Sequence, residues 1–417
     1  MILESLLSSI KYFFFIILLY LFIYNPPFKV VSSSVVEIMV VPAMLYIILS
    51  WRWYSLIKIF KVEFFLFGLI IFFSFVRELG LSESVFFRAN VLLLLEAIII
   101  PCALINFYST IKLGNNLFKE IILVGVIAAF ITLAMIFSPE LNASIKANFK
   151  STDFDDSVAF RSFGLSEGLT FSYGVVQGLV FALVFYYSRV NSKYLLLLPL
   201  LLISIFFNAR SGLIPVVFIL AYFSIVEFNF KFIGLSFLVG LILYFFLFVT
   251  DIFADYRETI EWAFDFFVQI SDFLSGDANQ SDTNTFATLF GDMAVFPQNA
   301  SEWIFGSGEN IFSSKSGNSD IGYIIQLNYG GVIYIFLFIL LVSFLLWRIS
   351  FICKKNKWFI LLISFTIIIG NVKGLFISVT PNFRLVMLMY LYLIYEDRKN
   401  INSINTFFPS RKKNALI

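Results

Sequence analysis

Apolar runs long enough to cross a bilayer follow one another along almost the whole of this chain, each closed off by charge or by Pro or Gly. With 60% apolar residues and a mean hydropathy of +0.92, the sequence lies well above the about 45–50% apolar content of soluble domains. A spanning helix takes about 20 mostly apolar residues, and the chain divides into roughly twelve such stretches. They are Tyr12–Tyr24, Val30–Ser50, Val62–Val76, Phe86–Phe107, Phe118–Phe137, Leu169–Tyr187, Tyr194–Phe207, Gly212–Val226, Phe232–Thr250, Ile321–Trp347, Trp358–Asn371 and Phe383–Tyr395. The predicted fold class is an all-α polytopic membrane protein. Its first stretch, between Lys11 and Asn25-Pro26-Pro27, lacks a small-residue cleavage pattern and reads as a retained anchor.

One long segment breaks the apolar rhythm. Asp251 to Asp320 carries twelve acids against Arg257 and Lys315, a net of −10. Basic loops stay inside while long acidic segments translocate, so this segment is expected outside. With both termini inside, 18 of the 29 bases fall on the inner side, and 19 of the 27 acids on the outer. Four regions result: a membrane bundle over 1–250 with a smaller outer loop at 138–168, the large outer loop 251–320, membrane helices over 321–395, and a basic inner tail, 396–417. Within the large loop, Phe253, Tyr256, Ile260, Phe264, Phe267 and Leu274 recur at helical spacing opposite acidic residues, which predicts an amphipathic helix. Its acidic face disfavours anionic lipid, so it is expected to wall a cleft at the bundle's rim.

The absence of histidine removes Ser-His and Cys-His nucleophiles and imidazole zinc sites. Cys102 and Cys353, assigned to different membrane levels, form no expected disulfide. Asp153, Asp155 and Asp156 invite a metal reading but lack the spacing of a calcium loop. Neither metal nor cofactor is expected, and carboxylates, Arg, Lys, Tyr or hydroxyls remain to carry any chemistry.

Arg161, Arg210 in Asn208-Ala-Arg-Ser-Gly212, and Arg384 after Pro381 each stand at the outer edge of a span. Cations there are costly unless paired. Three at one level, beside loosened backbone, suit a phosphorylated lipid, because guanidinium grips phosphate oxygens bidentately; headgroup snorkelling is the alternative for any one of them. Arg88, Glu96, Glu37 and Lys373 read as interhelical ion pairs. Ser319-Asp320 precedes a helix start, where Asp320 serves either as N-cap or as a catalytic carboxylate.

The Phe305-Gly-Ser-Gly308 turn, Ser319-Asp320-x-Gly322 with Gly330-Gly331 half-way along the following span, Arg161-Ser-Phe-Gly-Leu165 and Asn208-Ala-Arg-Ser-Gly212 together resemble the Wzy-type polymerases of bacterial O-antigen and capsule repeat units. The layout is similar too, with about twelve spans and one large outer loop late in the chain. The related O-antigen ligases use a histidine where Ser319-Asp320 stands here. The resemblance implies a metal-independent glycosyltransferase in the bacterial cytoplasmic membrane, joining undecaprenyl-pyrophosphate-linked oligosaccharides at its outer face. Asp320 and Arg210 are the implied catalytic residues; Arg161, Arg384, Glu167, Glu309 and Tyr323 are the implied substrate contacts. Implied partners are the lipid-linked glycan, membrane lipid and a chain-length regulator, with no nucleic acid. The alternatives are a lipid-linked oligosaccharide flippase or other transporter, kept open by Glu37 and Glu96, and a ligase.

Overall fold

In a computed structural model the described residues are 2–50, 53–79, 85–111, 116–150, 161–167, 172–226, 234, 237, 240, 241, 269, 275, 291–312, 319–354 and 356–399. They are helical, and no strand occurs among them apart from a single bridge between Phe28 and Phe149. The helices are α1 Ile2–Tyr24, α2 Val35–Leu49, α3 Trp53–Ile59, α4 Lys61–Glu78, α5 Val85–Leu94, α6 Ile100–Tyr108, α7 Leu117–Phe137, α8 Pro139–Ala147, α9 Ser172–Ser188, α10 Leu198–Phe206, α11 Leu213–Val226, α12 Ala300–Phe305, α13 Gly322–Ile352, α14 Lys357–Lys373 and α15 Pro381–Lys399. Among the described residues, four helical stretches are long and apolar enough to cross a membrane: Glu4–Tyr24, Val85–Tyr108, Leu117–Phe137 and Gly322–Ile352. A fifth results if α2 and α3, bent by 101°, are one broken span. The predicted amphipathic helix of the large loop and the Asp153–Asp156 cluster lie outside the described residues, as does the span predicted at Phe232–Thr250, of which only isolated positions are described.

Two helices are buried all round and occupy the centre. Every residue of α9 is buried, and α15 is buried from Pro381 to Ile394. They pack on each other; α9 also contacts α7, α10 and α11, and α15 contacts α1, α6 and α13. Small residues bring α9 into backbone contact with the turn before α11. A Cβ on Gly212 would lie 2.4 Å from the Gly174 carbonyl oxygen. That approach fixes the position of Arg210, two residues earlier.

The most specific feature of the fold is a break inside α13. Gly331 has φ 66° and ψ −167°, a conformation open essentially to glycine alone. The turn after α12 fills the break. Gly306 adopts φ 76°, ψ 169°, and a Cβ on it would lie 2.3 Å from the Tyr329 carbonyl oxygen; one on Gly331 would lie 2.3 Å from that of Ile304. Each glycine thus sits on the other strand's carbonyl. The interrupted helix leaves Asn328 and Tyr329 carbonyls without their helical donors, and the Ser307 and Gly308 N–H groups take over at 2.7 and 3.0 Å. Arg77 Nη2 in turn donates to the Gly306 carbonyl at 2.6 Å. Irregular backbone inside an apolar helix needs its polar groups satisfied by protein, and here the 306–308 turn and Arg77 do so.

A buried ion pair and hydroxyl bonds to carboxylates mark the other end of the bundle. Arg348 and the Tyr390 hydroxyl both donate to Glu63, joining α4, α13 and α15, and the Tyr12 hydroxyl donates to Glu120 of α7. Cys102 and Cys353 are free and buried.

Candidate functional site

At the end of the bundle where α13 begins and α14 finishes, one cation feels three other charged groups from separate parts of the chain. Lys373, in the last turn of α14, shares its electrostatic surroundings with Asp320, Arg161 and Arg210. Each is held by ordinary backbone devices. The 161–167 segment is pinned at both ends, Ser162 N–H to the Phe207 carbonyl at 2.9 Å and Glu167 N–H to the Tyr24 carbonyl at 3.0 Å, and turns at Gly164 with φ 59°. Arg210 begins the 3-10 turn Arg210–Gly212. All four groups are half-buried, open enough to be reached and sheltered enough for their fields to matter. Burial pushes the Arg161 guanidinium below its ordinary value.

Of the two roles weighed for Asp320, simple helix capping is corrected by the geometry. The N-cap of α13 is Ile321, with no side-chain cap bond. The hydroxyl that accepts from a nearby N–H is that of the fully buried Ser319, from Ile321 N at 3.2 Å. Asp320 therefore stands one residue outside the cap, beside Lys373.

Arg384 is placed differently from the other two arginines. It is 1% exposed, and its fork donates through Nη1 to Glu96 Oε2 at 2.8 Å and through Nη2 to Glu167 Oε1 at 3.0 Å. A guanidinium between two carboxylates offers no net positive charge to a phosphate, which corrects the expectation of three equivalent clamping arginines. Glu96 reaches it from a π-helical turn, Leu95–Ile99, next to Pro101. Proline lacks the N–H of a regular helix, and such bulges re-aim a side chain. Glu167 also accepts from Asn25 Nδ2, and Asn25 Oδ1 accepts from Val36 N at 3.1 Å. Asn25 follows α1 at φ 44°, a left-handed position that asparagine tolerates. Burial raises the Glu167 carboxyl to about 6, against the opposing pull of Arg384.

The remaining expected contacts lie apart from this arrangement. The Tyr323 hydroxyl donates to the Ile368 carbonyl at 3.1 Å, a tie between α13 and α14. Glu309 is exposed in the turn after Gly308, where its N–H donates to the Ser307 hydroxyl at 3.2 Å. Arg88 pairs loosely with Glu37 at 3.9 Å.

Sequence reasoning missed three participants. Lys373, counted from sequence among the outer bases, reads there as an interhelical ion pair and not as a neighbour of Arg161, Arg210 and Asp320. Asn25 was read only as a span terminator. Gln326 of α13 was passed over; it is 2% exposed, and its side-chain oxygen accepts from Asn371 Nδ2 at 3.1 Å. Compared with protein families, with characterised proteins and with solved structures, the chain matches none.

Proposed function

We propose that this protein is a glycan polymerase of a bacterial cytoplasmic membrane, with about twelve spans, both termini inside and the described site at the outer face. The observation that carries the reading is that Lys373 lies within the electrostatic reach of Asp320, Arg161 and Arg210. The reaction needs cations where a pyrophosphate departs and a carboxylate where a hydroxyl attacks. A hydroxyl oxygen of the incoming lipid-linked repeat unit forms a bond to the anomeric carbon of the growing chain. The bond from that carbon to undecaprenyl pyrophosphate breaks, and the pyrophosphate leaves with the electron pair. Asp320 takes the hydroxyl proton, while the three cations neutralise the leaving group. Bidentate grip favours the arginines for the phosphate oxygens, with Lys373 as a point charge. Arg384 is a positioning residue in this scheme, locking Glu167 and through it the 161–167 segment. No metal or cofactor is assigned a part.

Glycan gel patterns from a strain lacking the gene test the assignment. A polymerase predicts a single-repeat band in place of the ladder, restored by the intact gene. Complete loss of capped core identifies a ligase, and an unchanged ladder ends the reading.

A further inference from the structure

At the end of the bundle opposite to Lys373, a cavity of about 220 Å³ lies between α2, α3, α6 and α15. Ile47, Leu56, Ile59, Phe60, Ile105 and Leu391 make its apolar walls, and the buried thiol of Cys102 adds little polarity to them. The other lining residues are Ser55, Asn106 and Tyr395. Asn106 is buried, whereas Ser55 is exposed and Tyr395 half-buried, so the polar groups gather at the mouth. The cavity is thus apolar within and polar where it opens. A cavity of about 150 Å³ takes one benzene ring, and on that scale this one takes about eight or nine chain carbons. That is a segment of one acyl chain and no more.

The outer wall is α3, whose features suit the boundary between lipid and water. It turns by 101° from α2, none of its residues is buried, and Trp53 and Tyr54 are exposed. Trp and Tyr are the residue types that settle at a membrane interface. The end of α3 is anchored to α13, since Arg348 Nη2 donates to the Ile59 carbonyl at 3.0 Å and the guanidinium lies 5.5 Å from the Phe60 ring centroid. Lys58 and Lys61 flank these two lining residues and are exposed. Glu63, the next carboxylate along the chain, is buried and held by Arg348 and the Tyr390 hydroxyl. Glu396 and Asp397, which follow Tyr395, share their surroundings with Tyr392 and Cys353. Neither lysine pairs with a carboxylate among the described residues. The rim beside α3 is therefore positive.

We propose that this cavity holds part of one acyl chain of an anionic glycerophospholipid, with the ester and glycerol oxygens at Ser55 and Tyr395 and the phosphate beside Lys58 and Lys61. The chain gains close-packed apolar walls, and each lysine near the surface favours an anionic headgroup by about fivefold. A zwitterionic lipid fits the same walls but gains little from the lysines, and an uncharged apolar molecule leaves the positive rim unused. The orientation proposed above makes the inner leaflet the source of this lipid; the site itself does not depend on the polymerase reading.

The test is photolabelling of the full-length protein in phosphatidylcholine nanodiscs that contain a trace of either phosphatidylglycerol or phosphatidylcholine with a diazirine at mid-chain, the labelled peptides being mapped by mass spectrometry. Label from the phosphatidylglycerol probe should concentrate on α6 and the end of α15 and exceed that from the phosphatidylcholine probe by about 30-fold, the product of two lysine contributions. Lys58→Gln combined with Lys61→Gln should erase that excess, and because both side chains are exposed the fold should persist by gel filtration. Ile105→Trp and, separately, Cys102→Phe fill the cavity and should remove the label from α6 and α15. Equal labelling by the two probes, label spread evenly over all lipid-facing helices, an excess that survives the lysine pair, or label on α6 and α15 that persists in a folded cavity-filled variant overturns the site. Should neither filled variant fold, the lysine pair alone decides. The assay uses no glycan, so its failure and the failure of the polymerase reading are separate results.

Discussion

Replacing Gly331 by alanine should disable the break in α13. Alanine at φ 66°, ψ −167° costs about 1–3 kcal/mol in backbone strain. The added methyl would also lie 2.3 Å from the Ile304 carbonyl oxygen, a backbone atom that cannot swing aside. Relieving that contact moves the 304–308 turn and breaks the two hydrogen bonds at 2.7 and 3.0 Å to the Asn328 and Tyr329 carbonyls, each worth about 0.5–1.5 kcal/mol net and more if its acceptor stays buried and unpaired. The sum is roughly 2–6 kcal/mol of destabilisation. Denaturant unfolding in detergent micelles reads it. Gly306→Ala attacks the same lock from the other strand, so the double variant should fall well short of the sum of the singles. A Gly331→Ala protein within about 0.5 kcal/mol of the parent, the range of an ordinary surface change, or singles that add, would refute the reciprocal-glycine account.

Arg384→Ala should be among the most damaging substitutions, about 3–5 kcal/mol by unfolding, because it strands two carboxylates in a buried setting; Glu167→Gln, which leaves a balanced Arg384 and Glu96 pair, should be far milder. The Glu167 carboxyl raised to about 6 means that the folded protein holds a proton the unfolded chain has already released, so stability should decline as pH rises from the ordinary carboxylate range through 6 and level off above it. Glu167→Gln should flatten that part of the pH–stability curve, and an unaltered curve would show that another group titrates there. For orientation, Glu309→Cys should react with an impermeant thiol reagent on intact spheroplasts and Lys354→Cys only after permeabilisation; the reverse pattern would invert the assigned sidedness.

Much of the helix inventory was legible because composition and period act locally. Eleven of the twelve apolar stretches coincide with described helices, such as α7 at Leu117–Phe137 against the predicted Phe118–Phe137. The site was legible only in part. Arg161, Arg210 and Asp320 could be placed at the ends of apolar runs from the sequence alone. Such a place says nothing about azimuth, so the sequence could not separate Arg384, turned inward to Glu96 and Glu167, from the arginines near Lys373. Similarly, Gly330-Gly331 announced loosened backbone, but the turn that fills the gap comes from Ile304 to Gly308, and only the folded chain pairs them. The Asp320 ambiguity had the same origin, for a helix start read from sequence is uncertain by a residue or two, and here that shift moves the cap to Ile321.

The proposed reaction depends most directly on Asp320 as the proton acceptor near Lys373. Purified protein in vesicles, supplied with a lipid-linked repeat unit, should extend chains and release undecaprenyl pyrophosphate, and single-turnover rates should be compared for the parent and Asp320→Asn, with a melting curve for each. Asparagine preserves shape but cannot take the proton, so the rate should fall about 10² to 10⁴-fold with little change in melting. A near-parental rate for Asp320→Asn at unchanged melting would contradict the central claim.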